Sequence, residues 1–172
     1  MKRFIFFLAF FLMFSTFAVA KEAVYKTYYG FLPIGEVTFK WDKNYIEIKG
    51  SVYPYLKFVY DYNFEFKAVD NDFYLYEKEN KKVREFKKEE IYKKKPWLPL
   101  LVKFLKTKKA DETSPLYPYK LKIEGKKYTI YPLKSKKVSK IVVIFDGDEI
   151  FPKEIRIYGK HYIKLKRKQV KP

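Results

Sequence analysis

The stretch FVYDYNFEFKA, residues 58–68, alternates large apolar side chains with polar ones. Successive side chains of a β-strand point to opposite faces, so this alternation is typical of an antiparallel strand with one buried and one solvated face. The residues of its apolar face are Phe58, Tyr60, Tyr62, Phe64, Phe66 and Ala68. We therefore predict one long strand over 58–68, whose aromatic face lies against the core of a β-rich protein.

Shorter alternating segments precede and follow this stretch. They cover residues 36–42, 46–52 and 73–78 in the first half of the chain, and 119–124, 128–133, 154–158 and 162–166 in the second. Residues 141–145 form a continuous apolar run, which is typical of a strand covered on both faces. So many antiparallel strands in one chain form a sheet that curls rather than stays flat. The basic C-terminal tail, residues 164–172, is expected to fray.

Residues 97–108 follow a different period. Trp97, Leu98, Leu101, Phe104 and Leu105 recur at spacings of three and four, which predicts a helix with an apolar stripe flanked by lysines. Two interpretations are open: the helix covers the concave side of the sheet, or residues 97–109 lie in an anionic membrane surface. We favour the covering position. The predicted fold is mainly β (α+β), a strongly curved antiparallel sheet or open barrel of roughly ten strands with one covering helix.

The N-terminus has the features of a cleavable signal peptide. Lys2 and Arg3 precede an apolar run over residues 4–17, and Ala18-Val19-Ala20 supplies the small residues that signal peptidase requires. The run is shorter than the ~20 residues that span a bilayer. We expect residues 1–20 to be removed by cleavage after Ala20, leaving a single β-rich envelope domain, residues 21–172, in the periplasm or outside the cell. The absence of cysteine disfavours a lipid anchor.

Two segments resemble a known family. Residues 25–37 read YKTYYGFLPIGEV, and residues 148–157 read DEIFPKEIRI. Both are similar to segments of the bacterial domain-of-unknown-function family 3108. The resemblance implies an exported, β-rich envelope protein with a curved sheet similar to that of periplasmic lipoprotein carriers, and it implies no activity. Independently of the family, Gly30, Pro33 and Gly35 predict a hairpin corner, in which proline fixes φ and glycine tolerates positive φ.

The composition excludes several kinds of catalytic site. The chain has no cysteine and one histidine, His161, in a predicted hairpin where a lone residue is typical of a surface side chain. The acidic triplets at 70–72 and 146–148 indicate turns, because neither continues into an EF-hand loop with its closing Glu. No phosphate-binding glycine motif is present. The sequence therefore predicts a protein that is not an enzyme and uses no metal or cofactor.

The chain is strongly basic. Its net charge is +18, of which Lys2 and Arg3 contribute two, so the predicted mature chain carries +16. This charge attracts polyanions, or it serves solubility alone, and Lys/Glu enrichment of this kind resembles proteins of thermophiles. Predicted export disfavours nucleic acid as a partner. The sequence does not specify an oligomeric state.

The aromatic strand and the helix together suggest a binding function. An apolar pocket with a few hydroxyl groups beneath the helix would suit a lipid or acyl chain. Its predicted lining is Phe58, Tyr60, Tyr62, Phe64, Phe66, Trp97, Leu101, Phe104 and Leu105. The leading hypothesis is a non-enzymatic periplasmic binding or carrier protein that holds a lipid or other hydrophobic envelope component in the concave face. The alternative is a basic polyanion-binding or structural envelope-assembly protein with no small ligand.

Overall fold

A computed structural model describes residues 21–108, 118–147 and 150–172 of the protein. The predicted signal peptide lies outside these described residues, as do Lys109, Asp148 and Glu149. The elements in the described ranges are β1 (Lys21–Tyr29), β2 (Leu32–Trp41), β3 (Tyr45–Val52), β4 (Tyr62–Val69), β5 (Asp72–Glu79), β6 (Lys82–Lys87), α1 (Lys88–Lys94), α2 (Trp97–Thr107), β7 (Tyr119–Glu124), β8 (Lys127–Pro132), β9 (Val138–Ile144), β10 (Glu154–Gly159) and β11 (Ile163–Lys171). No helix in these ranges is long and apolar enough to cross a membrane.

All eleven strands belong to one antiparallel sheet. Their spatial order is β6-β5-β4-β3-β2-β1-β11-β10-β9-β8-β7, so β6 and β7 form its two edges. Within β1 to β6, and again within β7 to β11, strands that follow one another in the chain are neighbours in the sheet. The two halves meet where β1 pairs with β11, from Glu22 opposite Lys171 to Tyr29 opposite Ile163. The first and last strands therefore lie at the centre of the sheet.

The sheet is curved around its helices. Lys95, just before α2, binds Glu77 of β5, and Phe104 of α2 packs on Tyr128 of β8 with ring centroids 5.3 Å apart. Strands β5 and β8 are eight positions apart, which is roughly 38 Å along a flat sheet. Nine helical residues advance only about 14 Å. Glu77 and Tyr128 project from the face of the sheet, so their contacts recover little of this lateral distance, and the sheet must curl to bring both ends against one short helix.

The predicted fold class is confirmed: the structure is mainly β, with an open, curved antiparallel sheet and α2 at the predicted covering position. The sheet has eleven strands rather than ten, and the short helix α1 was not expected. The prediction that residues 164–172 fray was wrong. They form most of β11, which is hydrogen-bonded on one side to β1 and on the other to β10.

The prediction of one strand over 58–68 was wrong at its start, because β4 begins at Tyr62. Pro54 opens a 3₁₀ turn, Pro54–Leu56, after β3, and the chain bends again through residues 57–59 before it enters the sheet. Phe58 is consequently 87% exposed, and Tyr60 is also exposed. The aromatic face of β4 itself comprises Tyr62, Phe64 and Phe66.

The predicted corner around Gly30 is shorter than expected. Gly30 has a φ of +61° in the turn between β1 and β2, but Pro33 and Gly35 lie within β2. Gly35 is needed for another reason: a Cβ atom there would lie 2.1 Å from the carbonyl oxygen of Ser51 on β3. Glycine at this position lets the two strands approach closely.

Candidate functional site

The concave face of the sheet is an apolar wall. Tyr25, Phe39, Ile48, Phe66 and Leu75 come from five consecutive strands, β1 to β5, and each is almost completely buried. They share one face because each lies at a position of its strand where the side chain points inward. Ile48 pairs with Phe66 across the strands, and Phe66 with Leu75, so the register keeps these side chains side by side. The wall is therefore the side of the sheet on which a hydrophobic ligand, or a covering helix, would lie.

Helix α2 fills the space in front of this wall. Seven of its eleven residues are buried: Leu98, Pro99, Leu100, Leu101, Val102, Phe104 and Leu105. Pro99 is accommodated because the first helical turn has no internal partner for its backbone nitrogen. Lys108 ends the helix in a left-handed conformation, and its Nζ lies 4.5 Å from the ring centroid of Phe145. A helix that is apolar on most sides belongs inside a core rather than on a surface.

A polar cluster lies at the beginning of α2. Glu77 lies on the inward face of β5, the same face as Phe73 and Leu75, and it is only 5% exposed. Its Oε1 accepts hydrogen bonds from Lys95 Nζ and, at 2.8 Å, from Tyr62 Oη. Burial, together with the charge of Glu77, raises the pKa of Tyr62. We call Glu77, Lys95 and Tyr62 the Glu77 cluster; it joins the linker between the two helices to the sheet.

Aromatic residues continue from this cluster towards the end of the sheet. The rings of Tyr60 and Tyr62 are stacked with centroids 5.9 Å apart. Tyr60 Oη donates to Glu79 at 3.1 Å, and Glu79 also pairs with Arg84 of β6 at 3.2 Å. Polar groups thus line the margin between the Glu77 cluster and solvent.

The opposite end of the concave face is closed by the connection between β9 and β10. Phe151 and Pro152 are buried there, and Pro152 accepts a 2.8 Å hydrogen bond from Tyr25 Oη. Phe151 packs edge-on against Trp41 with ring centroids 6.4 Å apart. Its carbonyl also accepts a hydrogen bond from Arg167, whose guanidinium holds Asp146. Ring packing and hydrogen bonds therefore hold the β9–β10 connection in place at this end of the concave face.

No preformed cavity borders the side chains around α2 in the described ranges. A water-sized void would leave its lining accessible, yet Phe66, Leu101, Phe104 and Leu105 are each at most 2% exposed. Two shallow depressions, of about 410 and 260 Å³, lie elsewhere, at the β5–β6 turn and on the convex face of β7 to β10. The interior of the curved sheet is occupied by the protein's own helix.

The structure brings together seven of the nine residues that were predicted to line a pocket. Phe66, Leu101, Phe104 and Leu105 are core residues, whereas Phe64, Trp97 and Tyr62 are half-buried around them. Phe58 and Tyr60 lie outside, on the connection before β4. Sequence reasoning missed Glu77 and Lys95. The alternation of Phe73, Leu75 and Glu77 could have identified Glu77, because it places a carboxylate on the apolar face of the strand. Nothing in the sequence singles out Lys95.

Other chemistry has little support in the described residues. His161 is exposed, and its Nδ1 lies 3.1 Å from Tyr29 Oη. Within the described ranges no group of three or more His, Asp or Glu side chains is placed to hold a metal ion. The apolar stripe of α2 faces the core, so a membrane contact through residues 97–109 would require this helix to leave the sheet.

The fold and its contents define a class: an open, curved antiparallel sheet of eleven strands that encloses an apolar helix. No protein-family model matches the sequence. The chain is 43% identical over 155 residues to an "Uncharacterized protein" of Aquifex aeolicus (strain VF5), and the match covers 90% of this chain and 89% of that protein. The chain therefore belongs to the same family as the Aquifex protein.

Proposed function

We propose that the protein is a non-enzymatic binding or carrier protein of the cell envelope, whose concave face accepts a lipid or acyl chain when α2 moves away. The observation that carries this proposal is α2 itself, an almost wholly apolar helix held inside an open sheet by seven buried residues. Apolar contacts are non-directional, so an acyl chain can replace them with little loss. The predicted signal peptide and the resemblance to family 3108 support an envelope location.

The Glu77 cluster gives the movement a defined control point. Lys95 stands between α1 and α2, and its ammonium is the group of that linker that contacts the buried carboxylate. A buried ion pair contributes little net stability but fixes one arrangement of the groups that it joins. Breaking it releases the beginning of α2, while α1 keeps its own contacts with β5 and β6, through Tyr92 against Phe73 and Lys94 over Phe86.

A second candidate is favoured by a specific observation: in the part of the chain that the structure describes, no free space lies next to the side chains that α2 buries most completely. In that case the helix is a permanent core element, and the protein is a structural envelope-assembly or polyanion-binding protein with no small ligand. The two candidates differ in one measurable property, which is whether an amphiphile can enter the concave face.

The test is uptake of the fluorescent probe N-phenyl-1-naphthylamine, with oleate as competitor, and mass spectrometry of lipids extracted from the purified protein. Trp41→Phe leaves Trp97, at the start of α2, as the remaining tryptophan, so its emission reports movement of the helix. We expect saturable uptake that oleate displaces, with a Trp97 shift, and several-fold tighter binding in Lys95→Met. Lys94→Met, a substitution on the exposed side of α1, is the matched control. No saturable uptake in any variant, and no extracted amphiphile, would leave the second candidate.

A further inference from the structure

The connections between strands divide into two groups, one at each end of the sheet. Because neighbouring strands are antiparallel, the connections 30–31, 53–61, 80–81, 133–137 and 160–162 lie at one end, which we call the aromatic rim. The connections 42–44, 70–71 and 125–126, and the described residues 145–147 and 150–153, lie at the other, which we call the opposite rim. Backbone hydrogen bonds join neighbouring parts of the aromatic rim, from Gly30 to Tyr162 at 3.4 Å and from Tyr53 to Ile34 at 2.9 Å.

Large apolar side chains are exposed mainly at the aromatic rim. Phe58 and Phe31 stand out furthest, at 87% and 85% exposed, on adjacent connections. Around them, at this rim and the strand ends that flank it, the exposed apolar side chains include Tyr29, Leu32, Tyr55, Val59, Tyr60 and Leu133. The three short turns of the opposite rim consist of Asp, Asn, Gly and Lys, and the described apolar residues of its longer connection are buried or half-buried. The exposed apolar residues near this rim are scattered aliphatics such as Val69 and Ile123. Turn chemistry alone does not require phenylalanine at a hairpin tip.

The same rim is also the basic one. Its connections carry six lysines, Lys57, Lys81, Lys134, Lys136, Lys137 and Lys160, and a single carboxylate, Asp61. Asp61 is already paired with Lys78 at 3.2 Å. The described connections of the opposite rim are balanced, with Lys43, Lys126 and Lys153 against Asp42, Asp70 and Asp146. Among the described connections between strands, exposed aromatics and excess positive charge are therefore concentrated at the aromatic rim.

We propose that the aromatic rim docks on an anionic bilayer surface, with Phe31 and Phe58 inserted at the boundary between headgroups and acyl chains. Tyrosine is favoured at the depth of the headgroups and lysine opposite lipid phosphates, and residues of both types lie around the two phenylalanines at this rim. A protein partner is less suited, since lysine is depleted in the centres of protein interfaces. A soluble polyanion would use the lysines but leave Leu32, Val59 and Leu133 in water. The proposal does not depend on whether the concave face takes a ligand.

Co-sedimentation with vesicles tests the docking. We expect binding to vesicles of phosphatidylcholine mixed with phosphatidylglycerol, weak binding to phosphatidylcholine alone, and loss of binding as salt rises. The double variant Phe31→Ser/Phe58→Ser should bind at least about tenfold more weakly, because it removes the inserted groups. Val69→Ser/Ile123→Ser is the matched control near the opposite rim and should bind like the unchanged protein. Both pairs are exposed, so the unfolding midpoints should not change.

A second pair of variants separates charge from insertion. Lys57→Gln/Lys160→Gln should weaken binding and flatten its salt dependence, whereas Lys43→Gln/Lys126→Gln on the opposite rim should do neither. Phe58→Trp gives a direct readout of depth, since brominated acyl chains should quench the introduced indole on docking. Undiminished vesicle binding by Phe31→Ser/Phe58→Ser, or no quenching, would overturn the proposal. If heparin also binds the serine variant as tightly as the unchanged protein, the rim is a polyanion site instead.

Discussion

Replacing Lys95 with methionine removes the ammonium from the Glu77 cluster and keeps most of the aliphatic stem. The Glu77 side chain is 7% exposed, and without Lys95 its charge keeps, among the described residues, the hydrogen bond from Tyr62 alone. Removing one partner of a buried ion pair costs about 3–5 kcal/mol. Lys95 itself is 22% exposed, which lets water reach the vacated position, so we expect a loss at the lower end, about 3 kcal/mol.

Two further variants isolate this effect. Lys94 and Lys95 both lie over the ring of Phe86, at 5.0 and 5.8 Å from its centroid, but the acid paired with Lys94 is the exposed Glu90. Lys94→Met should therefore cost no more than about 1 kcal/mol. Glu77→Gln combined with Lys95→Met removes both charges and should recover most of the loss, leaving about 1 kcal/mol.

Urea unfolding followed by tryptophan fluorescence gives the free energy of unfolding for each variant. Two results would show that Glu77 does not become an unpaired buried charge when Lys95 is removed. One is that Lys95→Met lowers the free energy of unfolding no more than Lys94→Met does. The other is that the double variant is no more stable than Lys95→Met. Either result would refute the reasoning about the cluster and remove the control point proposed for α2.

Phe104→Ala should lower the free energy of unfolding by about 3–5 kcal/mol, because its ring is 1% exposed and fills the space in front of the sheet; a loss under 1 kcal/mol in the same urea titration would mean that α2 is loosely held. Gly35→Ala should lower the thermal midpoint, since the new methyl group would collide with the carbonyl oxygen of Ser51, and an unchanged midpoint would contradict the close approach of β2 and β3. Glu65→Gln should flatten the acid dependence of stability. Hydrogen bonding from Lys67 lowers the pKa of Glu65 from 4.5 to about 2. The Glu65 carboxylate therefore contributes stability, under ~1 kcal/mol at this solvated face, that is present above pH 4.5 and lost as the pH falls towards 2. Urea titrations at several pH values that give the same pH dependence for Glu65→Gln and the unchanged protein would contradict this prediction.

Local patterns in the sequence were sufficient for most elements of the fold. The alternation in β2, β3 and β4 and the three-four spacing of α2 are direct consequences of burying one face, so they can be read without knowing the neighbours. Phe58 shows the limit. It continues the alternation of β4 in sequence, but the bend that begins at Pro54 keeps residues 57–59 out of the sheet, and periodicity carries no information about where the chain turns.

The position of the C-terminal segment could not be read locally either. Leu165 is the fully inward apolar residue in a run of lysines, so the segment looked like a solvated tail. It is a strand because it has β1 on one side and β10 on the other, and its lysines find acidic partners on nearby strands, such as Glu36 for Lys168. The same holds for the candidate site. The hydrophobic pattern was sufficient to predict Phe66 and Leu101 as members of the site, whereas the contact of Lys95 with Glu77 depends on tertiary packing.

The pairing of β1 with β11 has a consequence for the order in which the chain folds. Glu22 lies opposite Lys171, 149 residues later in the chain, so the middle of the sheet cannot form until β11 is available. Contacts this distant in sequence make folding slow, because a long loop must close before they form. Before β11 is present, a nascent chain has two half-sheets, β1 to β6 and β7 to β10, whose inner strands β1 and β10 each lack a neighbour on one side. The protein therefore commits to its native sheet only when β11 inserts between them.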